Sequence, residues 1–585
     1  MVSPDRLRAA YLKARDVLLA ARDPAGYWVG ELSSSALSTA TATAALTLTG
    51  NRPDLVDAGI RWLRDHQNDD GGWGDTIKSK SNISTTMLCR AAFHIARRDG
   101  EHATVLAGAD QWLAARFGST AELHAEAVRQ RYGKDRTFSV PILMMSALAK
   151  LVSWREVPTL PFQLACLPQS WYRFAGLPVV SYALPALIAI GQCVAHHRPS
   201  RNPLTQFTRR AAVGPSLRVL ARMQPSSGGF LEATPLTSFV VMALATVGQT
   251  SAHARAVIAK GVEFLIASIR PDGSWPIDSN LSIWVTTLSI NALAVAGDLE
   301  AITDRDRLRD WLLFQQTSER HPFTGADAGA WGWSHLPGSV PDCDDTPGAL
   351  LALTNLGEIP DERRQRAEAW VMRLQNRDGG VPTFCRGWGK LPFDRSGTDL
   401  TAHTLRALCR PHSDADEKVK RFRSRALAYL QREQRGDGTW LPLWFGNQHA
   451  ADDTNPVYGT ARVLAAYRDL GLASAPSARH AVQFLYSAQN PDGGWGGAQG
   501  VPSSVEETAL VVDVLFDLVL ESRETLDRGI LWLVERVEAG AFVEPSPIGF
   551  YFAKLWYFEK LYPIIFTVAA LGRAWRSQRR ASATE

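Results

Sequence analysis

Three carboxylates fall within four positions at Asp342-Cys343-Asp344-Asp345, inside the run Val340 to Pro347. Packed side by side in a dry site they cannot all ionise cheaply, so at least one is pushed toward its neutral, proton-carrying form. The residues that follow predict a helix from Gly348 to Leu356, stopped by Gly357, with Thr346 as its N-cap and Pro347 as its first helical residue. A helix N-terminus beneath the acids would stabilise the anion left behind when a proton departs. Together these features describe a strong Brønsted acid. Taken alone, the string suits an acidic N-cap on a surface helix better, and the rest of the chain reverses that reading.

The elements that must position it announce themselves by repetition. An amphipathic helix ends in Gln, a polar turn follows, then Gly-x-Trp. Clear copies run from Arg61 through Gln67 to Gly71-Gly72-Trp73, from Arg425 through Gln434 to Gly438-Thr439-Trp440, and from Ala481 through Gln489 to Gly493-Gly494-Trp495. Weaker ones surround Gly273-Ser274-Trp275 and Gly379-Gly380-Val381, and decayed ones Tyr27-Trp28, Gln224 with Gly228-Gly229-Phe230, and Ala541-Phe542. The spacing fits one helical hairpin per repeat. Gly supplies positive φ in the turn, and Asp suits the position before it. The Gln is expected to satisfy the open end of the next helix while the indole covers it, so these residues are structural.

Composition narrows the class. The chain has 585 residues, of which 45% are hydrophobic, enough for a large core, and carries a formal charge of only +4, which gives no case for nucleic acid. Six scattered Cys (89, 166, 193, 343, 385 and 409) form no C-x-x-C pair and read as reduced thiols of a cytoplasmic protein. Met1 to Ala20 reads as a charged amphipathic helix rather than a secretory signal. Phe174 to Ala195 is the most apolar stretch, but Pro178 and Pro185 interrupt it, which favours a core helix or a segment dipping into one leaflet over a membrane span.

The repeats resemble the QW motifs of squalene–hopene cyclases and their class II terpene cyclase relatives, and the acid run resembles that family's D-x-D-D-T motif. The two resemblances together cover nearly the whole chain. They imply an all-α fold of two α/α-barrels, one over about 31–268 and the other combining 1–30 with 269–585, with a central apolar cavity. They imply Asp344 as the proton donor, flanked by Asp342 and Asp345. Thr398-Asp399-Leu400-Thr401-Ala402-His403 resembles the family's T-A-H string, whose His bonds the catalytic acid. Asp399 and His403 are i, i+4 on one helical face, and an imidazolium there would hold one carboxylate charged and orient the proton of Asp344.

Family members stabilise carbocations on aromatic faces, and the matching positions are Trp284, Trp333, Trp444, Tyr458 and either Phe550 or Tyr551. A desolvated cation–π contact contributes about 2 kcal/mol. Several such faces favour a cation without offering it a nucleophile. At the termination end the match fails. A cavity Trp of the family falls near Leu177, two polar residues that organise the quenching water correspond to Thr41 and Thr234, and an acid beside the matched Trp284 is replaced by Val285. The stretch Arg198 to Ser216 is shorter than the family's membrane-facing segment.

The resemblance implies a linear isoprenoid hydrocarbon as substrate, peripheral contact with the cytoplasmic face of a membrane, and compatibility with a homodimer. It calls for no cofactor and no metal. A class II diterpene-type cyclase would use the same acid on a prenyl diphosphate, and would want a Mg²⁺ site or basic cluster that the sequence does not make compelling. A protein prenyltransferase subunit would need an Asp/Cys/His zinc site, for which Cys343 lacks partners. A non-catalytic lipid-binding toroid would leave the acids unexplained.

Overall fold

A computed structural model describes residues 2–133, 135–168, 171–172, 180–248, 251–357, 359–409, 416–518, 523–551 and 554–584. Helices dominate, and they close into two rings. In one, Ala36–Thr49, Ile83–Ile95, Arg136–Leu148, Val180–His197 and Thr234–Ala245 pack in sequence order, and the last returns to the first. In the other, Ser282–Ala296, Asp345–Leu356, Thr398–Ala407, Pro456–Asp469, Val505–Leu515 and Tyr562–Thr584 close in the same way. Amphipathic helices such as Pro53–Asp65, Glu417–Glu433 and Glu524–Glu538 flank these rings on the outside. Inner helices are buried nearly all round, as Ala36 to Leu46 and Ser282 to Ile290 show, and this is why their sequences lack an amphipathic stripe.

Each ring has its own apolar core. One draws on Leu7 to Trp28 and Ile283 to Ala574, the other on Ala36 to Ile277 with Phe323, Val340, Phe384, Cys385, Phe393 and Leu555. Short antiparallel pairs tie the segments together: Ser34–Ser35 on Trp275–Pro276, Val381–Pro382 on Ser396–Gly397, and the hairpin Gly549–Tyr551 on Leu555–Tyr557.

The repeat chemistry differs in detail from expectation. The indole N–H of Trp73, Trp275, Trp440 and Trp495 donates to Leu63, Leu265, Leu430 and Leu485 carbonyls at 2.7–2.8 Å, which satisfies the open C-terminal end of its own helix. The Gln amide donates to two carbonyls, one in the turn and one in the next helix: Gln67 to Gly71 and Val105, Gln434 to Gly438 and Ser477. It is a clamp between helices rather than an N-terminal cap. A copy that the spacing hid is present too, with Gln316 bonded to Gly329 and Arg363 and Trp331 bonded to Leu312. Gly71 shows what the turn demands: φ is +86°, and a Cβ would lie 2.6 Å from the Gly108 carbonyl oxygen.

The apolar segment sits inside. Within the described part of Phe174 to Ala195, most side chains from Ser181 to Val194 are buried core, and residues 173–179, Leu177 among them, lie outside the described residues. No helix among the described residues is long and apolar enough to cross a membrane. Exposed apolar side chains occur instead on either side of this helix, at Leu164, Leu167 and Trp171 and at Leu204, Phe207 and Val213.

Candidate active site

The acid run opens an inner helix, though not in the predicted register. The helix begins at Asp345 with Asp344 in the N-cap position, and Thr346 and Pro347 stand in its first turn. The Thr346 hydroxyl is taken by Trp331, accepting its N–H at 3.0 Å. Asp342 does the capping instead, its Oδ1 accepting the backbone N–H of Asp344 (2.8 Å) and Asp345 (2.7 Å). This divides the labour among the three acids. Burial pushes Asp342 up to about 7, and the hydrogen bonds from Asp345 and Asp344 keep it from rising further. Burial, then Asp399 and Asp342, hold Asp344 well above the ordinary carboxylate range, opposed by Arg462. Burial and Asp342 do the same to Asp345, whose Oδ1 has no hydrogen-bond partner among the described residues. Asp344 and Asp345 are therefore the proton-carrying members and Asp342 the anchored one.

Asp399 and His403 come from the next inner helix, Thr398–Ala407. The Asp399 carboxylate receives the Leu443 N–H at 3.2–3.3 Å. Arg462 Nη2 donates to His403 Nδ1 at 3.5 Å, which leaves the ring proton on Nε2. The buried His403 Nε2 has no hydrogen-bond partner among the described residues, so the ring makes no bond to the Asp344 carboxyl. The expected imidazolium is corrected here: burial, then Arg462 and Arg406, push His403 well below its ordinary value, so it is neutral. The cation among the acids is Arg462, which the sequence reading passed over. It lies four residues after Tyr458 in the string Tyr458-Gly459-Thr460-Ala461-Arg462, and its guanidinium stands 5.9 Å from the centre of that ring. The i, i+4 relation to Tyr458 was the signal available.

Asp342, Asp344 and Asp345 line a cavity of about 100 Å³ where the two cores meet, with Trp444 and Tyr557 packed against both. Four of the anticipated aromatics stand in its wall: Trp284, Trp333, Trp444 and Tyr551. Trp284 Nε1 donates to the Tyr562 hydroxyl (2.9 Å), and Trp444 Nε1 to the Thr383 hydroxyl (2.7 Å). Both indole N–H groups are thus engaged within the protein, which fixes the orientation of the rings. Tyr458 stacks on Phe445 at 4.1 Å, and Phe445 takes the wall position. Phe550 stacks on Trp556 and packs against Leu400, Leu443 and Trp444, so of the two candidates Tyr551 is the one that faces this cavity. Phe384, Phe445 and Tyr557 complete the aromatic lining and were not anticipated; they lie in loops and in a short hairpin. Asp278 is also in the wall, with no counterpart in the sequence reading.

Away from this cavity, Thr41 is buried inside Ala36–Thr49 and its hydroxyl donates to the Ser38 carbonyl at 3.0 Å. The Thr234 hydroxyl is buried and unpartnered among the described residues, and Val285 is core. No group of three or more His, Cys, Asp or Glu suited to a metal ion occurs among the described residues.

Comparison with known proteins agrees with this architecture. The squalene-hopene cyclase C-terminal domain family matches residues 279–576, the corresponding N-terminal domain family 12–209, and the prenyltransferase alpha-alpha toroid domain 179–328. The chain is 26% identical to an enfumafungin synthase of Hormonema carpetanum over 94% of its own length, and spans 47% of that longer protein. It is 23% identical to a probable squalene–hopene cyclase of Sinorhizobium fredii over 96% of each chain. In fold it resembles the ent-copalyl diphosphate synthase of Streptomyces platensis, with a TM-score of 0.59 and 19% identity, covering 98% of this chain and 100% of that one. The acid-headed inner helix, the Gln–Trp clamps of the repeats and a domain-family match spanning 279–576 place this chain in the squalene–hopene cyclase family of class II terpene cyclases.

Proposed function

We propose that this protein is a proton-initiated cyclase of a linear polyprene, with Asp344 as the acid. The observation that carries the reading is the position of Asp344: its carboxyl keeps its proton because of burial and neighbouring acids, and it lines a cavity walled by Trp284, Trp333, Trp444 and Tyr551. The O–H bond of Asp344 breaks as a C–H bond forms at the terminal alkene, and the electron pair comes from the double bond. The cation left on the neighbouring carbon is attacked by the next double bond and sheltered by aromatic faces. Arg462 compensates the charge left on Asp344, while Asp342, held by two backbone N–H groups, helps keep the proton on Asp344 until it is delivered. We take 31–268 as one barrel and 1–30 with 269–585 as the other, with the reaction at their junction.

The first substrate reading is a hydrocarbon of the squalene class, as the names of the family and of its curated relatives suggest. A prenyl diphosphate is the second, favoured by one observation. Burial, then Arg131 and Arg395, lower the proton affinity of Lys554, and the Arg131 Nε is buried without a hydrogen-bond partner among the described residues. Incubation of the purified protein with squalene and with geranylgeranyl diphosphate, each with and without EDTA, separates the two readings. Cyclic hydrocarbon or alcohol from squalene, insensitive to EDTA, is the expected outcome. Turnover of the diphosphate alone would replace the first reading with the second, and turnover of neither would remove both.

A hydrocarbon substrate resides in lipid, since each buried methylene gains about 0.8 kcal/mol on leaving water. The proposed contact surface is the exposed set Leu164, Leu167, Trp171, Leu204 and Phe207, the last two being 70% exposed, on a helix that also carries Arg209 and Arg210. We expect the protein to float with vesicles containing anionic lipid, and Leu204→Ser with Phe207→Ser to reduce that binding about tenfold. Equal recovery of both proteins in the vesicle-free fraction would refute the surface.

A further inference from the structure

The cavity has a second acidic wall that the acid motif does not account for. Asp278, 1% exposed, lines it together with Trp333 and Tyr551. Its Oδ2 accepts the Tyr551 hydroxyl at 3.3 Å, and its Oδ1 the Ser279 N–H at 2.8 Å. Glu232 lies directly behind. Ala233 and Asp278 form a backbone bridge, and Ser279 N–H donates to the Glu232 main-chain carbonyl at 3.1 Å. Glu232 is as buried as Asp278, and its Oε1 accepts the Ser227 hydroxyl and the Gly338 N–H, each at 2.7 Å. Ser227 is half-buried, at the edge of solvent.

Neither carboxyl forms an ion pair among the described residues, so burying the two together is costly. The backbone adds a further cost. Leu231 and Glu232 have φ of 55° and 54°, in the left-handed region that L side chains rarely adopt, so the surroundings hold Glu232 in place against strain. Both features fall on two neighbouring carboxyls, Asp278 in the cavity wall and Glu232 behind it, the second bonded to the half-buried Ser227.

Cyclisation by isomerisation must return the proton it borrows. We propose that Asp278 is the base that ends the cation cascade and that Glu232 and Ser227 carry the proton away, an inference that rests on the proton-initiated reaction proposed above. A C–H bond beside the final cationic carbon breaks, its electron pair closes a C=C bond, and the proton joins the Asp278 carboxylate. Asp344 is reprotonated from solvent, so no proton is consumed overall. The Ser279 N–H and the Tyr551 hydroxyl donate to the Asp278 carboxyl and favour its ionised form, against burial and the neighbouring Glu232, which raise its proton affinity. Because Asp278 and Asp344 line the same small cavity, the quench lies close to the start, and the product is an alkene of few rings.

The test uses the full chain and whichever of squalene and geranylgeranyl diphosphate the wild type consumes. Asp278→Asn keeps shape and hydrogen bonding but cannot take the proton. Substrate consumption should persist, while the ratio of alkene to water-quenched alcohol or to later-ring products falls at least about tenfold. Asp278→Glu should restore the alkene. Glu232→Gln should keep the alkene and lower turnover per folded molecule about tenfold with an unchanged melting temperature, a combination that a packing defect would not give. An unchanged product ratio in Asp278→Asn overturns the assignment. If that variant does not fold, wild-type turnover by Glu232→Gln overturns it instead. Consumption of neither substrate by the wild type fails the underlying cyclase reading, which is a different result.

Discussion

Asp344→Asn should abolish cyclisation while the protein melts like the wild type. Asn matches the size and polarity of Asp but has no transferable proton, and Asp344 receives no backbone N–H through its carboxyl, so the helix cap survives. General-acid catalysis contributes about 10²–10⁴-fold in typical enzymes. With Asp344 as the proposed initiating acid, the loss should reach the upper end of that range or pass it. Asp342→Ala makes the informative contrast. It removes the oxygen that accepts the Asp344 and Asp345 N–H groups, so it should lower stability by about 1 kcal/mol as well as activity. Rates per folded molecule, together with thermal melts, check both. More than about a tenth of wild-type turnover in Asp344→Asn would show that another group delivers the proton.

The repeats were legible because a hydrogen-bonding unit recurs. Gln, Gly and Trp must keep fixed separations for one amide to clamp two carbonyls and one indole to close a helix end, so the string survives where the helices between have drifted. The Gln316 copy escaped notice because 13 residues separate its Gln from Gly329, where other copies have four. Inner helices were hard to read for a different reason. Ala36–Thr49 is surrounded on all sides, so no face is polar and no 3.6-residue stripe appears. The acid run was visible as chemistry, yet its register was not. Thr346 looks like a cap and serves Trp331 instead, a tertiary contact that local sequence cannot express. Asp278 looks like an ordinary turn residue after Trp275-Pro276-Ile277, and only the bridge to Ala233 brings it to the cavity beside Tyr551. Phe384 reaches the wall from a loop, where side-chain direction carries no period, and Tyr557 from a strand of three residues, too short for its alternation to show in the sequence.

Arg462→Met should weaken the acid without removing it. Arg462 is the cation that opposes the upward push on Asp344 from burial, Asp399 and Asp342. It also helps hold His403 neutral, with His403 Nδ1 accepting from it. Met keeps the unbranched apolar stem and its packing near Tyr458 while deleting the charge. Two consequences have defined signs. With the cation gone, the proton affinity of Asp344 rises, so the protonated, active form persists to higher pH and the alkaline limb of the rate profile moves up. The same change makes proton transfer to an alkene less favourable, so the maximal rate falls. Beyond ion-pair distance, a guanidinium in a partly buried site is worth less than the about 4 kcal/mol of a 4 Å pair. Only part of that is expressed in the barrier, which puts the loss of kcat at about 10- to 100-fold. Lys at this position keeps the charge and should recover much of the rate, though not the planar contact with His403. A pH–rate profile of the three proteins checks the argument. A lower rate with the limb unmoved, equally severe in Arg462→Lys, would mean that Arg462 acts by packing and that the acid strength of Asp344 is set by the carboxylates alone.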